Sequence, residues 1–188
     1  NVLFAGEVFQ MENFKMLLNH WPDKKYTNLY GPTETNVCTF FKIDIGKIDY
    51  TFFPIGKKCS YSNLLILDEE DNEVNEINST DELLVAGPSL FNGYWNDPQK
   101  SSASMYKNKN GILFYRTGDL VNKNENGELV YVGRKDRMIK KNGFRIEPSE
   151  IEMILTSYPN VSNAVVLFSK PKNQLICFVE FPKHLDAK

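Results

Sequence analysis

Residues 28–35 read Asn-Leu-Tyr-Gly-Pro-Thr-Glu-Thr, and few octapeptides leave a backbone less freedom. Gly31 has no Cβ, so the chain there can approach a ligand closely, and Pro32 locks φ near about −65° and fixes the turn that follows. The loop is stiff and carries several chemistries. Tyr30 can offer a flat face to a base, Thr33 a hydrogen bond to a phosphate oxygen, and Glu34 a hard oxygen ligand for the magnesium that accompanies ATP. The same residues equally suit an ordinary turn between two strands, with Tyr30 in the core and Glu34 in solvent. Their surroundings must decide.

Upstream, residues 2–5 form a short apolar run closed by Gly6-Glu7, which reads as a buried strand ending in a turn. Phe9, Phe14, Leu17, Leu18 and Trp21 then recur at helical spacing over 9–21, and Pro22-Asp23 stops the pattern. Residues 26–30 supply a second strand, so the loop sits at a carboxyl end, where open α/β sheets bind ligands. The character then changes. Short strands are expected at 37–43, 64–67, 82–86 and 129–132, separated by Gly, Asn, Asp and Pro, and they read as a small antiparallel barrel or sheet. The acidic run 68–71 reads as a solvated hairpin, and Tyr94-Trp95 as a packing pair before a helix that starts at Asn96-Asp97-Pro98.

Charge and cysteine usage narrow the class. Lys plus Arg is 22 against 24 for Asp plus Glu, a net charge of −2, with basic residues clustered only at 134–145. Bulk nucleic-acid binding is not indicated. Three cysteines (Cys38, Cys59, Cys177) at unpatterned spacings and two histidines (His20, His184) read as a reduced, cytosolic chain without a metal-ligand cluster. No apolar run approaches the ~20 residues of a membrane span. The absence of an initiator Met and of a signal sequence reads as an internal piece of something longer.

Two further stretches carry chemistry. Tyr115-Arg116-Thr117-Gly118-Asp119-Leu120 puts a carboxylate directly after a glycine, and a short acid on such a turn accepts well from a pair of ribose hydroxyls. A solvent-exposed Gly-Asp turn satisfies the same tripeptide. Residues 131–148 are dense in charge and then in glycine, which suits a boundary between two packed units. Beyond it come a helix over 148–158 with Ile151, Ile154 and Leu155 on one face, and strands at 161–168 and 175–181. These form a separate small α+β piece.

Taken together, Tyr-Gly-Pro-Thr-Glu at 30–34, Tyr-Arg-Thr-Gly-Asp at 115–119, and Gly-Arg-Lys-Asp with Gly-Phe-Arg-Ile-Glu-Pro-Ser-Glu-Ile-Glu at 133–152 strongly resemble the adenylate-forming enzymes. Within them the chain is most similar to the amino-acid adenylation domains of nonribosomal peptide synthetases and their free-standing relatives. The resemblance implies a mixed α/β and β fold: residues 1–135 as the end of a large AMP-binding domain, a sheet plus a small β-barrel, and 136–188 as the start of a small α+β C-terminal domain. It implies that Asn28 meets the adenine amino group, Tyr30 stacks on adenine, Gly31 lines the same loop, Thr33 holds phosphate, and Glu34 coordinates Mg²⁺. Thr33 and Glu34 are thus the catalytic candidates. By the same likeness Asp119 and Arg134 grip the ribose, Asp136 is the hinge between domains, and Gly143 lies on the loop brought up for thioester formation.

The implied reaction uses ATP to activate an amino acid as its AMP ester, then passes it to the phosphopantetheine thiol of a carrier protein. The family's side-chain pocket maps onto Leu3, Ala5, Leu29, Val37 and Cys38, a lining that resembles that of the L-prolyl-carrier-protein ligases and points to L-proline. An acyl- or aryl-CoA ligase, or a non-catalytic nucleotide-binding module, are the alternatives. The family's phosphate loop and its terminal-domain lysine have no counterpart here, since none of the eleven glycines has the loop's context and neither Lys183 nor Lys188 matches the lysine's motif. Without those two cations the departing pyrophosphate lacks charge stabilisation. The purified 188-residue chain is therefore expected to give ATP–pyrophosphate exchange no higher than background, and exchange above it would refute this reading.

Overall fold

The apolar run Val2–Phe4 (β1) lies parallel to Tyr26–Tyr30 (β2), with Leu3 opposite Thr27, and the helix Met11–His20 (α1) makes the crossover between them. Phe14 explains why α1 docks. It is fully buried and meets Tyr26 and Phe53 edge-on, at 5.0 and 4.8 Å between ring centroids. The Tyr26 hydroxyl donates to the Trp21 carbonyl at 2.6 Å, which satisfies the open end of the helix just before Pro22. Thr39–Ile43 (β3) pairs antiparallel to β2, and Lys57–Lys58 (β4) to β3, completing a four-stranded sheet. These are features of a computed structural model that describes residues 1–9, 11–47 and 53–181. Lys183, His184 and Lys188, named above, and Gln10, within the helix expected over 9–21, lie outside the described residues.

The chain divides into two units, Asn1–Lys135 and Asp136–Lys188. In the first, a five-stranded sheet follows the four-stranded one: Asn63–Leu67 (β5), Asp81–Ala86 (β6), Met105–Lys107 (β7), Leu113–Lys123 (β8) and Leu129–Arg134 (β9). The order is β5-β6-β8, with β7 and β9 pairing successive halves of β8. The expected barrel does not close, because among the described residues no strand pairing joins β5 to β7 or β9. Residues on alternating sides of β6 enter different cores. Leu83 and Val85 pack with Tyr30, Cys38, Ile55 and Val121, whereas Leu84 and Ala86 pack with Leu67 and Phe114. Burial on both sides explains the unbroken apolar run in β6. The two sheets are tied where the Leu129 N–H donates to the Gly56 carbonyl at 2.8 Å and the Leu129 carbonyl accepts the Ile55 and Gly56 N–H groups at 2.8 and 3.0 Å.

The helix Pro98–Ala103 (α2) begins as the sequence indicates, with Asp97 accepting the Lys100 N–H and Pro98 in the first turn. Asp71, expected to be merely solvated, reaches the Arg116 guanidinium at 2.5 Å. Trp95 does not pack; it is 97% exposed.

In the second unit, Ile139–Lys141 (β10) and Phe144–Ile146 (β11) form a tight hairpin whose two turn residues, Asn142 and Gly143, both have positive φ. The helix Pro148–Thr156 (α3) packs on Asn163–Ser169 (β12), which pairs with Gln174–Glu180 (β13). The inner face of α3 differs from the apolar reading. Ile154 is 57% exposed, and Glu152 takes the inward position because it accepts the Val166 N–H at 2.8 Å and both guanidinium nitrogens of Arg137 at 2.9 Å. Among the described residues no helix is long and apolar enough to cross a membrane.

The Arg137 hydrogen bond and the Val166 N–H hold the Glu152 carboxyl below its ordinary 4.5. A carboxyl depressed in the folded state stabilises above its unfolded value and loses that contribution as pH falls through the folded one. Melting of the wild-type chain should therefore drop between pH 5 and 3 more steeply than melting of Glu152→Gln, and parallel pH curves would contradict the assignment.

Candidate functional site

The Tyr-Arg-Thr-Gly-Asp motif is not a turn but the middle of β8. Glu82 pairs with Leu120 and Leu84 with Arg116, so residues 117–119 of β8 stand against Leu83 alone in a β-bulge, where Gly118 takes φ +67°. The bulge is held on every side. Thr117 Oγ1 donates to the Leu83 carbonyl at 2.6 Å and accepts the Asp119 N–H at 3.0 Å, and the Lys135 N–H reaches the Gly118 carbonyl at 2.8 Å. Buried Glu82 accepts the Gly118 N–H at 3.2 Å and is itself paired with Arg116 at 3.1 Å. A bulge re-aims a side chain, and the one re-aimed is Asp119.

Asp119 is fully buried. Its Oδ2 accepts the Tyr30 hydroxyl at 2.5 Å and its Oδ1 the Arg134 Nη1 at 2.8 Å, which also donates to the Thr117 carbonyl at 2.6 Å. Arg134 sits directly opposite Asp119 in register, held there by the extra residue, Val132, that β9 inserts between the Gly133 and Tyr131 pairings. Burial, then the charge and hydrogen bond of Asp119, push the Tyr30 hydroxyl well above 10, so it stays a proton donor. The Tyr30 ring, expected to stack on a base, is 8% exposed and belongs to the core.

The loop after β2 folds against itself. A Cβ on Gly31 would lie 1.8 Å from the Asn36 carbonyl oxygen, so the chain's own backbone requires glycine there. Thr35 N–H closes a turn on the Pro32 carbonyl at 3.1 Å. Thr33 is exposed at the tip, whereas Glu34 is 4% exposed. The Glu34 carbonyl accepts the Phe91 N–H at 2.8 Å, and its Oε1 accepts the Tyr94 hydroxyl at 2.7 Å. Tyr94 and Glu82 were not found by motif reading, since each acts across more than thirty residues of chain. Asn28 donates its amide to the Pro54 carbonyl at 2.8 Å, which fixes the amide's orientation and turns its oxygen to acceptor duty.

Of the pocket residues, Leu3 is exposed on β1, and the β1/β2 register puts it on the same face as half-buried Leu29. Ala5 is exposed and Val37 half-buried. Cys38 instead lies wholly within the core, and burial pushes its thiol up to about 12. In the second unit Asp136 accepts the Met138 N–H at 3.1 Å, and Gly143 occupies the hairpin tip at φ +77°.

A family model described as AMP-binding enzyme matches residues 1–95. The chain belongs to this family. It is 38% identical over 180 residues to an L-proline--[L-prolyl-carrier protein] ligase of Streptomyces coelicolor, covering 93% of this chain and 33% of that one. It is 37% identical to the ligase of the same name from Pseudomonas fluorescens, over 88% of this chain and 31% of that one. Tyrocidine synthase 1 of Brevibacillus parabrevis is 35% identical, over 86% of this chain and 15% of the synthase. Among solved structures, IdnL1 superposes with a TM-score of 0.89 at 29% identity, covering 100% of this chain and 39% of that one. PA1221, an NRPS protein containing adenylation and PCP domains, gives 0.84 at 27%, with coverage of 96% and 32%. The chain thus spans about a third of the two proline ligases, and its mixed α/β architecture is that of adenylation-domain structures.

Among the described residues no cluster of three or more His, Cys, Asp or Glu is placed to hold a metal. A single carboxylate nonetheless suits magnesium, which takes one or two carboxylates and completes its shell with phosphates and water. Glu34 fits that requirement.

Arg134 and Asp119 are both inside the protein, at 10% and 0% side-chain exposure. Stripping one charge from a buried pair leaves the other uncompensated, at about 3–5 kcal/mol. Arg134→Met should lower the unfolding free energy measured by urea titration by that amount, and adding Asp119→Asn should restore part of it; equal stability of Arg134→Met and wild type would show that the pair contributes nothing.

Proposed function

We propose that these residues are part of a ligase that activates L-proline as prolyl-AMP and transfers it to the phosphopantetheine thiol of a carrier protein. The observation that carries the reading is the convergence of three motifs on one buried carboxylate: Tyr30 and Arg134, 89 and 15 residues from Asp119, both donate to it. The names of the related ligases support the same class.

In this reading residues 1–135 are the end of the large AMP-binding domain and 136–188 the start of the small one, with Asp136 as the hinge and Gly143 on the loop presented for thioester formation. The amino acid's carboxylate attacks the α-phosphate of ATP and pyrophosphate leaves; the carrier thiol then attacks the acyl carbon and AMP leaves. The Asn28 amide oxygen accepts from the adenine amino group, and the exposed Thr33 hydroxyl donates to a phosphate oxygen. Asp119 takes the ribose hydroxyls, which reach it by exchanging with a present donor. Tyr30 then serves the site chiefly by orienting Asp119. Glu34 holds Mg²⁺, which when bound neutralises phosphate charge.

The pocket residues Leu3, Ala5, Leu29 and Val37 bring no charge, and the thiol of Cys38, which the core takes from this set, stays protonated. A charged side chain buried there would cost several kcal/mol, whereas a pyrrolidine ring leaves no polar group unsatisfied. Competitors differing by one methylene are separated by only about 1–3 kcal/mol. ATP–pyrophosphate exchange by the full-length protein should be fastest with L-proline, and preference for another amino acid would remove the substrate assignment. Activity confined to carboxylic acids without an amino group would favour an acyl-CoA ligase. In the same protein Asp136→Pro should spare exchange and cut thioester formation, because proline restricts the φ change a hinge needs; equal loss of both would count against a hinge.

A further inference from the structure

We infer that Tyr94 is a positioning residue that fixes the Glu34 carboxylate for the metal–nucleotide complex; this rests on the metal role proposed above for Glu34. The two residues are 60 positions apart and meet in a part-buried contact of 2.7 Å, Tyr94 Oη donating to Glu34 Oε1. The same segment grips Glu34 a second time through its backbone, where the Phe91 N–H donates to the Glu34 carbonyl at 2.8 Å. Residues 91–94 thus hold both the main chain and the side chain of the glutamate.

Tyr94 is itself anchored from two directions. Its N–H donates to Ser101 Oγ at 2.8 Å, and that hydroxyl donates to the Asp97 carbonyl at 2.6 Å, tying Tyr94 to α2. Its ring packs edge-on against Phe91 at 4.9 Å, Phe91 packs on Tyr115 at 5.5 Å, and Lys100 Nζ lies 5.0 Å over the Tyr94 ring. Gly93, at φ +128°, makes the approach possible, since a Cβ there would sit 2.9 Å from Ser101 Oγ. Packing alone would be served by phenylalanine. The hydroxyl's contribution is directional: a carboxylate has about four acceptor sites, so a donor at one oxygen selects the carboxylate's rotation without using up its capacity for a cation. Groups that orient a ligating carboxylate cost about 10–100-fold in metal affinity when removed.

The test is Mn²⁺ binding in the presence of ATP, followed by electron paramagnetic resonance on the full-length protein, with Tyr94→Phe, Glu34→Gln and the double variant. Tyr94→Phe keeps the ring and should weaken Mn²⁺ about tenfold while leaving the KM for the amino acid and the melting temperature near wild type. In the Glu34→Gln background the same change should add nothing, because its effect runs through the carboxylate. Unchanged Mn²⁺ affinity in Tyr94→Phe, or a full additional loss in the double variant, overturns the inference while the metal role of Glu34 stands. Wild-type affinity in Glu34→Gln removes that role, and the inference with it.

Discussion

A carboxylate removed from water must be met by donors, and Asp119 is the point at which that requirement organises the first unit. Its two oxygens take one donor from β2 and one from β9, so the two sheets cannot slip relative to one another without stranding a charge. The inserted Val132 sets the β8/β9 register at which Asp119 and Arg134 face one another, and the bulge at 117–119 shifts β8 against β6 at the same point. Glu82 serves the same end one step removed, holding the Gly118 N–H of the bulge. A second carboxylate therefore lies buried in order to aim the first.

Glycine shows a related economy. Gly31 looks in the sequence like a position kept for a ligand, but a Cβ there would meet the Asn36 carbonyl oxygen at 1.8 Å, and one on Gly56 the Phe40 carbonyl oxygen at 2.1 Å. Both are places where the chain passes over its own backbone. The stiffness of the Tyr30–Glu34 loop comes from this self-contact as much as from Pro32.

The periodic parts of the fold were legible because local chemistry decides them. The strand, helix and strand of residues 2–30 and the capped start of α2 at Asp97-Pro98 follow from hydrophobic spacing or turn residues, whereas the Asn142-Gly143 hairpin lies in a stretch that reads only as a charged boundary. What was not legible was set at long range. Gly118-Asp119 reads as a turn because a bulge glycine and a turn glycine both adopt positive φ, and only the β6 pairing tells them apart. Ile154 fits the apolar stripe of α3, yet Glu152 displaces it from the inner face because it finds three donors there. At the site, the motif residues were identifiable from their types, but Tyr94 and Glu82 had no local signal, and Cys38 could not be seen to turn into the core.

Asp119 and Glu34, both buried, differ in how they are held, and the difference bears on what each can bind. Asp119 is oriented by a guanidinium as well as by a hydroxyl, so much of its charge is balanced within the protein. It is then suited to neutral partners such as sugar hydroxyls, which need an acceptor rather than a counter-charge. Glu34 is oriented by the Tyr94 hydroxyl, a neutral donor that directs the carboxylate. On the roles proposed above, one residue class serves both hydrogen-bond acceptance and cation binding, with a different donor orienting each carboxylate.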